Sequence, residues 1–267
     1  MNRPTITFLS DYGLQDEFVG VCRAVMHRIT PDARIIDVSH GVPSFDVRQG
    51  AMLLQRTLPF TEPGVHLGVI DPEVGGRRRP IALRVAEQER VLVGPDNGLL
   101  WLAAQRFGGI VEAVDLTRSP FRLEPVSATF HGRDIFAPIA ARLAGGLAVV
   151  DVGDPLDPEE IVPLPMPLAE IGEDEIVAHA VAFDRFGNVM LDLEHEELTV
   201  GVGLRLGEPV RINGVSGVYA STFADVEPGT VLLYQDANRA MAVAVNRRSA
   251  QELLELAVDA RVRISRG

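Results

Sequence analysis

"GVHLGVIDPEVGGRRRPIALRV", residues 64 to 85, carries the reading of the fold. One apolar run leads into Asp71-Pro72, the chain turns through Gly75-Gly76, three arginines follow, and a second apolar run starts at Pro80. Runs this short, bounded by Gly and Pro, read as buried strands rather than helices. The charged tip between them has two readings. It is a solvated loop, or it is a site rim on which a carboxylate and a guanidinium face one small molecule.

Outward from this segment, strand and helix signals alternate. Before it come a strand over "TITFLSD" (5–11), a helix over "DEFVGVCRAVMHRI" (16–29) with apolar positions at helical spacing, a strand over "ARIIDVSHG" (33–41) and a helix over "DVRQGAMLLQRTL" (46–58). After it come a strand over "RVLVGPD" (90–96) and helices over "NGLLWLAAQRFG" (97–108) and "TFHGRDIFAPIAARLAGG" (129–146), both closed by glycine. The pattern predicts a layered α/β domain with a mainly parallel sheet over residues 1–153. Residues 154–171 are rich in proline and read as a linker. From 172 to 267 the signal is β: "EIVAHAVAFDRFGNVMLDL", "PVRINGVSGVYAST" and "GTVLLYQDANRAMAVAVN", with "GVSG" as a hairpin turn, then one short helix over "SAQELLELA" and a last strand "RVRIS". A smaller, barrel-like all-β domain is expected there.

Composition removes several functions. A net charge of −12 argues against nucleic acid, which needs a positive face. All 25 basic residues are arginine, so Schiff-base chemistry and a phosphate-loop lysine are excluded. Cys22 is the only cysteine, which rules out an internal disulfide framework and any multi-cysteine metal site. No apolar run approaches the ~20 residues of a membrane span, and the first residues show no signal-peptide pattern. A cytoplasmic protein is expected.

The common motifs are missing as well. No G-x-G-x-x-G follows a strand, and there is neither a Walker A sequence nor a G-x-S-x-G elbow. "HEELT" (195–199) starts like a zincin helix but lacks its second histidine, and no metal site is expected. What remains lies at strand ends, where open α/β sheets bind ligands: Ser10-Asp11-Tyr12, Asp37 to His40, Asp71 and Pro95-Asp96-Asn97. Taken singly, each is commonly a cap or turn residue. Asp71 and Arg78, seven residues apart across a Gly-Gly turn, can fold back on each other, and His131 opens a later helix. Arg133-Asp134 reads as a local ion pair, and at most one of Arg77, Arg78 and Arg79 needs a function.

Six blocks in one order give the chain a specific resemblance. They are "FLSDYGLQDEFVG" (8–20), "DVSHGVPSFDV" (37–47), "VIDPEVGG" (69–76) with Arg78, "GPDNGLL" (94–100), "TFHGRDIFAP" (129–138) and "DRFGNV" (184–189). Together they resemble the S-adenosylmethionine (SAM) hydroxide adenosyltransferases, relatives of the fluorinase and chlorinase enzymes. The resemblance implies hydrolysis of SAM to adenosine and L-methionine, with no cofactor. It implies a water-handling triad of Asp71, Arg78 and His131, with the choice of base between Asp71 and His131 left open. Halogenating relatives carry an aromatic residue in place of Asp71 and a hydroxyl residue in place of Gly132, so halide chemistry is disfavoured.

The same resemblance implies that Asp11 binds the ribose diol and Phe45 walls the substrate. Asp184 is implied to pair with the methionine ammonium, Phe186 to stack on adenine, Asn188 to bond its edge and Val245 to offer backbone groups. Ala237 departs from the family's serine, and Asn238 or Asp236 is expected to compensate. A homotrimer with sites at subunit interfaces is implied too. On sequence alone, a non-catalytic SAM- or adenosine-binding protein stays open as the rival.

Overall fold

The computed structural model describes residues 3–267, which divide into two compact units with the boundary between Leu164 and Pro165. In the first, β1 (Thr5–Ser10), β2 (Arg34–Ser39), β3 (Val65–Val69), β4 (Pro80–Val85), β5 (Val91–Pro95), β6 (Ile110–Asp115) and β7 (Asp154–Leu156) form one sheet in the order β2-β1-β3-β5-β4-β6-β7. Strands β2, β1, β3 and β5 are parallel; from β5 through β4 and β6 to β7 every pairing is antiparallel. The change of direction has a local cause. Only residues 86–90 join β4 to β5, too few for a parallel crossover, and Gln88 and Glu89 take positive φ to close the turn. Strands β6 and β7 are additions to the sequence reading.

Helices α1 (Phe18–Ile29), α2 (Val47–Thr57), α3 (Trp101–Arg106) and α4 (Ala137–Ala144) cover both faces of this sheet. Alternation within each strand sets the two cores. Ile6, Phe8, Leu67 and Val93 pack with Cys22 and Met26 of α1 and with Ile139 and Ala140 of α4. Leu9, Leu83 and Leu92 pack instead with Leu54 of α2 and with Ala103 and Ala104 of α3. The π-helical turn Gly132–Phe136 leads directly into α4. From the proline-rich stretch, β7 pairs with β6, Glu160 meets Arg79, and the Val162 N–H donates to Asp96 at 2.9 Å.

The second unit contains β8 (Glu170–Ile171), β9 (Glu175–Phe183), β10 (Val189–Glu194), α5 (His195–Gly201), β11 (Pro209–Ile212), β12 (Val215–Tyr219), β13 (Val231–Gln235), β14 (Ala240–Val245), α6 (Ala250–Leu253) and β15 (Arg261–Arg266). Strand order is β10-β14-β13-β12-β11-β15-β9, closed by β9 on β10, with β8 attached to β9. This is a seven-stranded barrel. Its inward residues include Ile176, Ala178, Ala180, Leu191, Val210, Ile212, Leu233, Val243, Val262 and Ile264. One helix is added to the sequence reading and one turn moves. "HEELT" opens α5, started by a reciprocal cap between Glu194 and Glu197. The β11–β12 turn falls at Asn213-Gly214, both at positive φ, and Val215 to Gly217 already belong to β12. Among the described residues no helix is long and apolar enough to cross a membrane.

Candidate active site

The three arginines of the opening segment separate into three roles. Arg77 is exposed. Arg79 donates to Asp96 from Nε at 3.0 Å and from Nη2 at 2.7 Å, and to Glu160 at 3.0 Å, tying down residues 158–162. Arg78 turns inward. Its Nε donates to Asp71 Oδ1 at 2.8 Å, its Nη2 closes the fork on Asp71 Oδ2, and the same nitrogen lies 2.7 Å from His131 Nδ1. The side chains of Arg78 and Asp71 are only 3% and 7% exposed. Arg78 also lies over the Phe136 ring, 5.4 Å from its centroid.

Two neighbouring devices hold Asp71 in place. Asn97 Nδ2 donates to the Ile70 carbonyl at 2.9 Å while its Oδ1 accepts from Leu99 N, so the "PDNG" turn after β5 clamps the exit of β3. Gly75 sits at φ +76°, and a Cβ there would overlap the Ala128 carbonyl oxygen, with its carbon at 3.3 Å. The close approach presses the Asp71–Arg78 loop against the segment that carries His131. Gly75→Ala should therefore lower the melting temperature, by roughly 1–3 kcal/mol of stability, and lower turnover with it; paired melting and kinetic assays check this. Asp134 fixes the other side. Burial works to raise its carboxyl, but the Arg133 fork (2.6 and 2.8 Å) and the Ser127 N–H (2.8 Å) outweigh burial and hold it below the usual range.

Arginine has no acceptor, so His131 Nδ1 must accept a hydrogen bond from Arg78 and the ring carries its own hydrogen on Nε2. Burial first, then the Arg78 charge, lowers the imidazole below its ordinary value against the opposing pull of Asp71. His131 is thus a neutral ring that presents an N–H donor. Asp71 accepts from the guanidinium on both oxygens and keeps lone pairs free on each.

Asp11, one residue past β1, accepts from the Phe45 N–H at 2.9 Å. That bond helps keep Phe45 at φ +70°, an uncommon conformation for an aromatic residue, with its ring 69% exposed. The turn between them is fixed by Ser10 Oγ, 2.8 Å from His40 Nδ1, and by the Gly13 N–H on the His40 carbonyl. Tyr12 stands among the strand-end candidates of the sequence but has no assigned role there. Its phenol is raised well above the ordinary value by burial first and by the nearby anions Asp11 and Asp71, with Arg78 opposing.

The remaining sequence candidates meet in the second unit. Asp184, Phe186, Asn188, Asn238 and Val245 line one cavity of about 840 Å³, together with Ala237 and Asp236. Asp184 Oδ1 accepts from the Phe186 and Asn188 N–H groups at 2.8 and 3.0 Å, and its Oδ2 from Asn188 Nδ2 at 2.7 Å. It therefore shapes the "DRFGN" turn before it meets any ligand, and among the described residues the Asn188 side-chain oxygen has no partner. Phe186 is 68% exposed at the mouth. Asp236 similarly organises its own turn through the Asn238 and Ala240 N–H groups. Phe223, Tyr234 and Arg247 line the cavity but gave no sequence signal. Burial first, then Asp184 and Asp236, pushes the Tyr234 phenol up to about 12.

The SAM hydroxide adenosyltransferase N-terminal domain matches residues 6–153, and its C-terminal domain matches residues 178–263. The chain belongs to this family. A relative in Salinispora tropica called (R)-S-adenosyl-L-methionine hydrolase is 45% identical across 99% of this chain and 98% of its own. The Thermus thermophilus protein of the same name is 36% identical across 97% of this chain and 98% of its own. A fluorinase from Nocardia brasiliensis is 29% identical across 92% of each chain. Among solved structures, an uncharacterized conserved protein from Thermotoga maritima superposes with a TM-score of 0.90 at 32% identity, covering 98% of this chain and 100% of its own. This member of the family shares its two-domain fold with a solved protein, and is more similar to relatives named for hydrolysis than to those named for fluorination.

Proposed function

We propose that the protein hydrolyses SAM to adenosine and L-methionine by in-line attack of water at C5′ of the ribose. The observation that supports this best is the closed contact of Asp71, Arg78 and His131. Close relatives named SAM hydrolase support the same substrate and reaction.

The chemistry asks little of a protein. The sulfonium leaves as a neutral thioether, so no acid is needed to help it go. Water forms the C5′–O bond as the C5′–S bond breaks, and one proton must depart. Asp71 is the acceptor for that proton, since its free lone pairs remain after the guanidinium fork is made. His131, with Nδ1 taken by Arg78, steadies the water oxygen through its Nε2–H. Arg78 spreads positive charge behind developing hydroxide. In-line positioning can contribute up to ~7–11 kcal/mol and a placed base ~10²–10⁴-fold. Asp11 and Phe45 serve the ribose side, and the cavity around Asp184, Phe186, Asn188, Asn238 and Val245 takes the adenine and methionine ends.

Two further parts of the reading go with it. The family resemblance supports a homotrimer with sites at subunit interfaces, and the exposed rings of Phe45 and Phe186 are surfaces such an assembly would cover. A cytoplasmic location accords with a single buried cysteine. Incubation of the protein with SAM in ¹⁸O-labelled water, with and without excess chloride, tests the function. Labelled adenosine and unlabelled methionine are expected. Tight binding without turnover would leave a binding protein, and a 5′-chloro product would make the enzyme a halide transferase.

A further inference from the structure

Gly132 follows His131, and no side chain fits on it. A Cβ there would collide with Tyr12 Oη and lie 3.1 Å from Cζ and 3.4 Å from Cε2. The place that a residue-132 side chain would take beside the triad histidine is filled by a phenol hydroxyl from the end of β1. The ring behind it is fixed by aromatic contacts, 5.6 Å from the Phe18 centroid and 6.0 Å from that of Phe130. Among the described residues the hydroxyl itself has no hydrogen-bond partner, although the Tyr12 N–H donates to Ser10. A hydroxyl held this firmly in a partly buried ring, with no protein partner, is open to a ligand or a water.

Building on the proposed hydrolysis, the geometry points to Tyr12 as the residue that shapes the nucleophile pocket in concert with Gly132. The Tyr12 hydroxyl holds the attacking water opposite Asp71 and occupies the volume that a side chain at 132 would otherwise bring to the nucleophile. The two positions form one coupled unit. Tyr12 stays protonated throughout the neutral range, so its oxygen accepts a hydrogen bond from the second O–H of the water and takes no proton from it, and the lone pair not engaged by the His131 Nε2–H is free to attack C5′. Bond making and proton release remain with the water and Asp71.

The coupling predicts opposite effects of one substitution in two backgrounds. Tyr12→Phe keeps the ring contacts and removes one neutral hydrogen bond, so kcat should fall about tenfold with little change in KM for SAM. Gly132→Ala in the wild-type background should cost far more, because the phenol cannot withdraw from between Phe18 and Phe130. In Tyr12→Phe the nearest ring atom to that methyl is Cζ at 3.1 Å, tight but open to small adjustment, so the double variant should be more active than Gly132→Ala alone. Kinetics of the four full-length proteins with SAM, alongside melting temperatures without it, decide the matter. Unchanged kcat in Tyr12→Phe, or an equal Gly132→Ala loss in both backgrounds, overturns the inference while the hydrolytic reading stands. A wild-type protein that does not turn over SAM removes that reading and the water-holding role with it, and the melting temperatures then judge the Tyr12–Gly132 coupling alone.

Discussion

Asp71→Asn should slow SAM hydrolysis by about 10³-fold and abolish ¹⁸O incorporation into adenosine on the wild-type timescale. The substitution keeps the shape of the side chain and removes its charge and half of its acceptor capacity. One end of the amide then presents N–H groups to Arg78, which already donates there. The damage extends to the fold. A guanidinium whose side chain is 3% exposed loses the carboxylate paired with it, and stranding a buried charge costs about 3–5 kcal/mol. Asp71→Asn/Arg78→Met should recover most of that stability, because the stranded cation is gone, and none of the activity. Melting curves and product analysis on both proteins separate the two effects. Full stability in the single variant would mean that water reaches Arg78 freely.

Acid should destabilise the protein well before its surface carboxylates protonate, through a histidine far from the triad. His66 on β3 is fully buried, 2.9 Å from Thr7 Oγ1 and 3.0 Å from Arg90 Nη1, and burial first, then the Arg90 charge, lowers it to about 3. Arg90 is also buried, and among the described residues no carboxylate pairs with it; Thr61, the Glu62 backbone carbonyl, Gln88 and His66 satisfy its donors. The folded state therefore keeps His66 neutral, while the unfolded chain takes up a proton below about pH 6.5. The unfolded state binds more protons between the two values, so stability is complete above that pH and falls as pH drops toward about 3. By about pH 4 the loss from this group is on the order of 3 kcal/mol. His40, lowered by burial to about 4, adds in the same direction. Chemical denaturation between pH 7 and pH 4 should show the slope, and His66→Gln should flatten it. An unchanged slope in that variant would place the acid sensitivity elsewhere.

Much of this was legible in the chain for a specific reason. The strands β1, β2, β3 and β5 are short apolar runs that end in polar residues, and the parallel half of the sheet brings those ends to one edge. Asp71 and Arg78 are close in sequence, so a Gly-Gly turn alone could suggest their meeting. The antiparallel half was less readable. β6 is as long as β1 but follows Gly108-Gly109 without a clean apolar–polar alternation, and β7 is only three residues in a proline-rich stretch. The cavity of the second unit was hardest to foresee beyond its "DRFGN" turn. Phe223, Tyr234 and Arg247 meet the "DRFGN" turn only because β10 pairs with β14, about 50 residues further along the chain, and no local spacing encodes that. Tyr12 was visible at a strand end, but the fit of its hydroxyl against Gly132 depends on two segments about 120 residues apart.

The closed barrel has a consequence for how this protein must fold. Strand β15 sits between β9 and β11, pairing Arg261 with His179 and Ile264 with Ile212. Its contact with β9 joins residues separated by more than 80 positions, whereas β9–β10, β11–β12 and β13–β14 are hairpins with short turns. Hairpins form early because little chain entropy is lost in closing them; β15 must wait for a long loop to close. Until it inserts, β9 and β11 each show an open edge of unpaired amides, the kind of surface on which chains associate wrongly. Refolding yield should thus fall with protein concentration during the interval before β15 docks, and the second unit should set the pace of the whole chain.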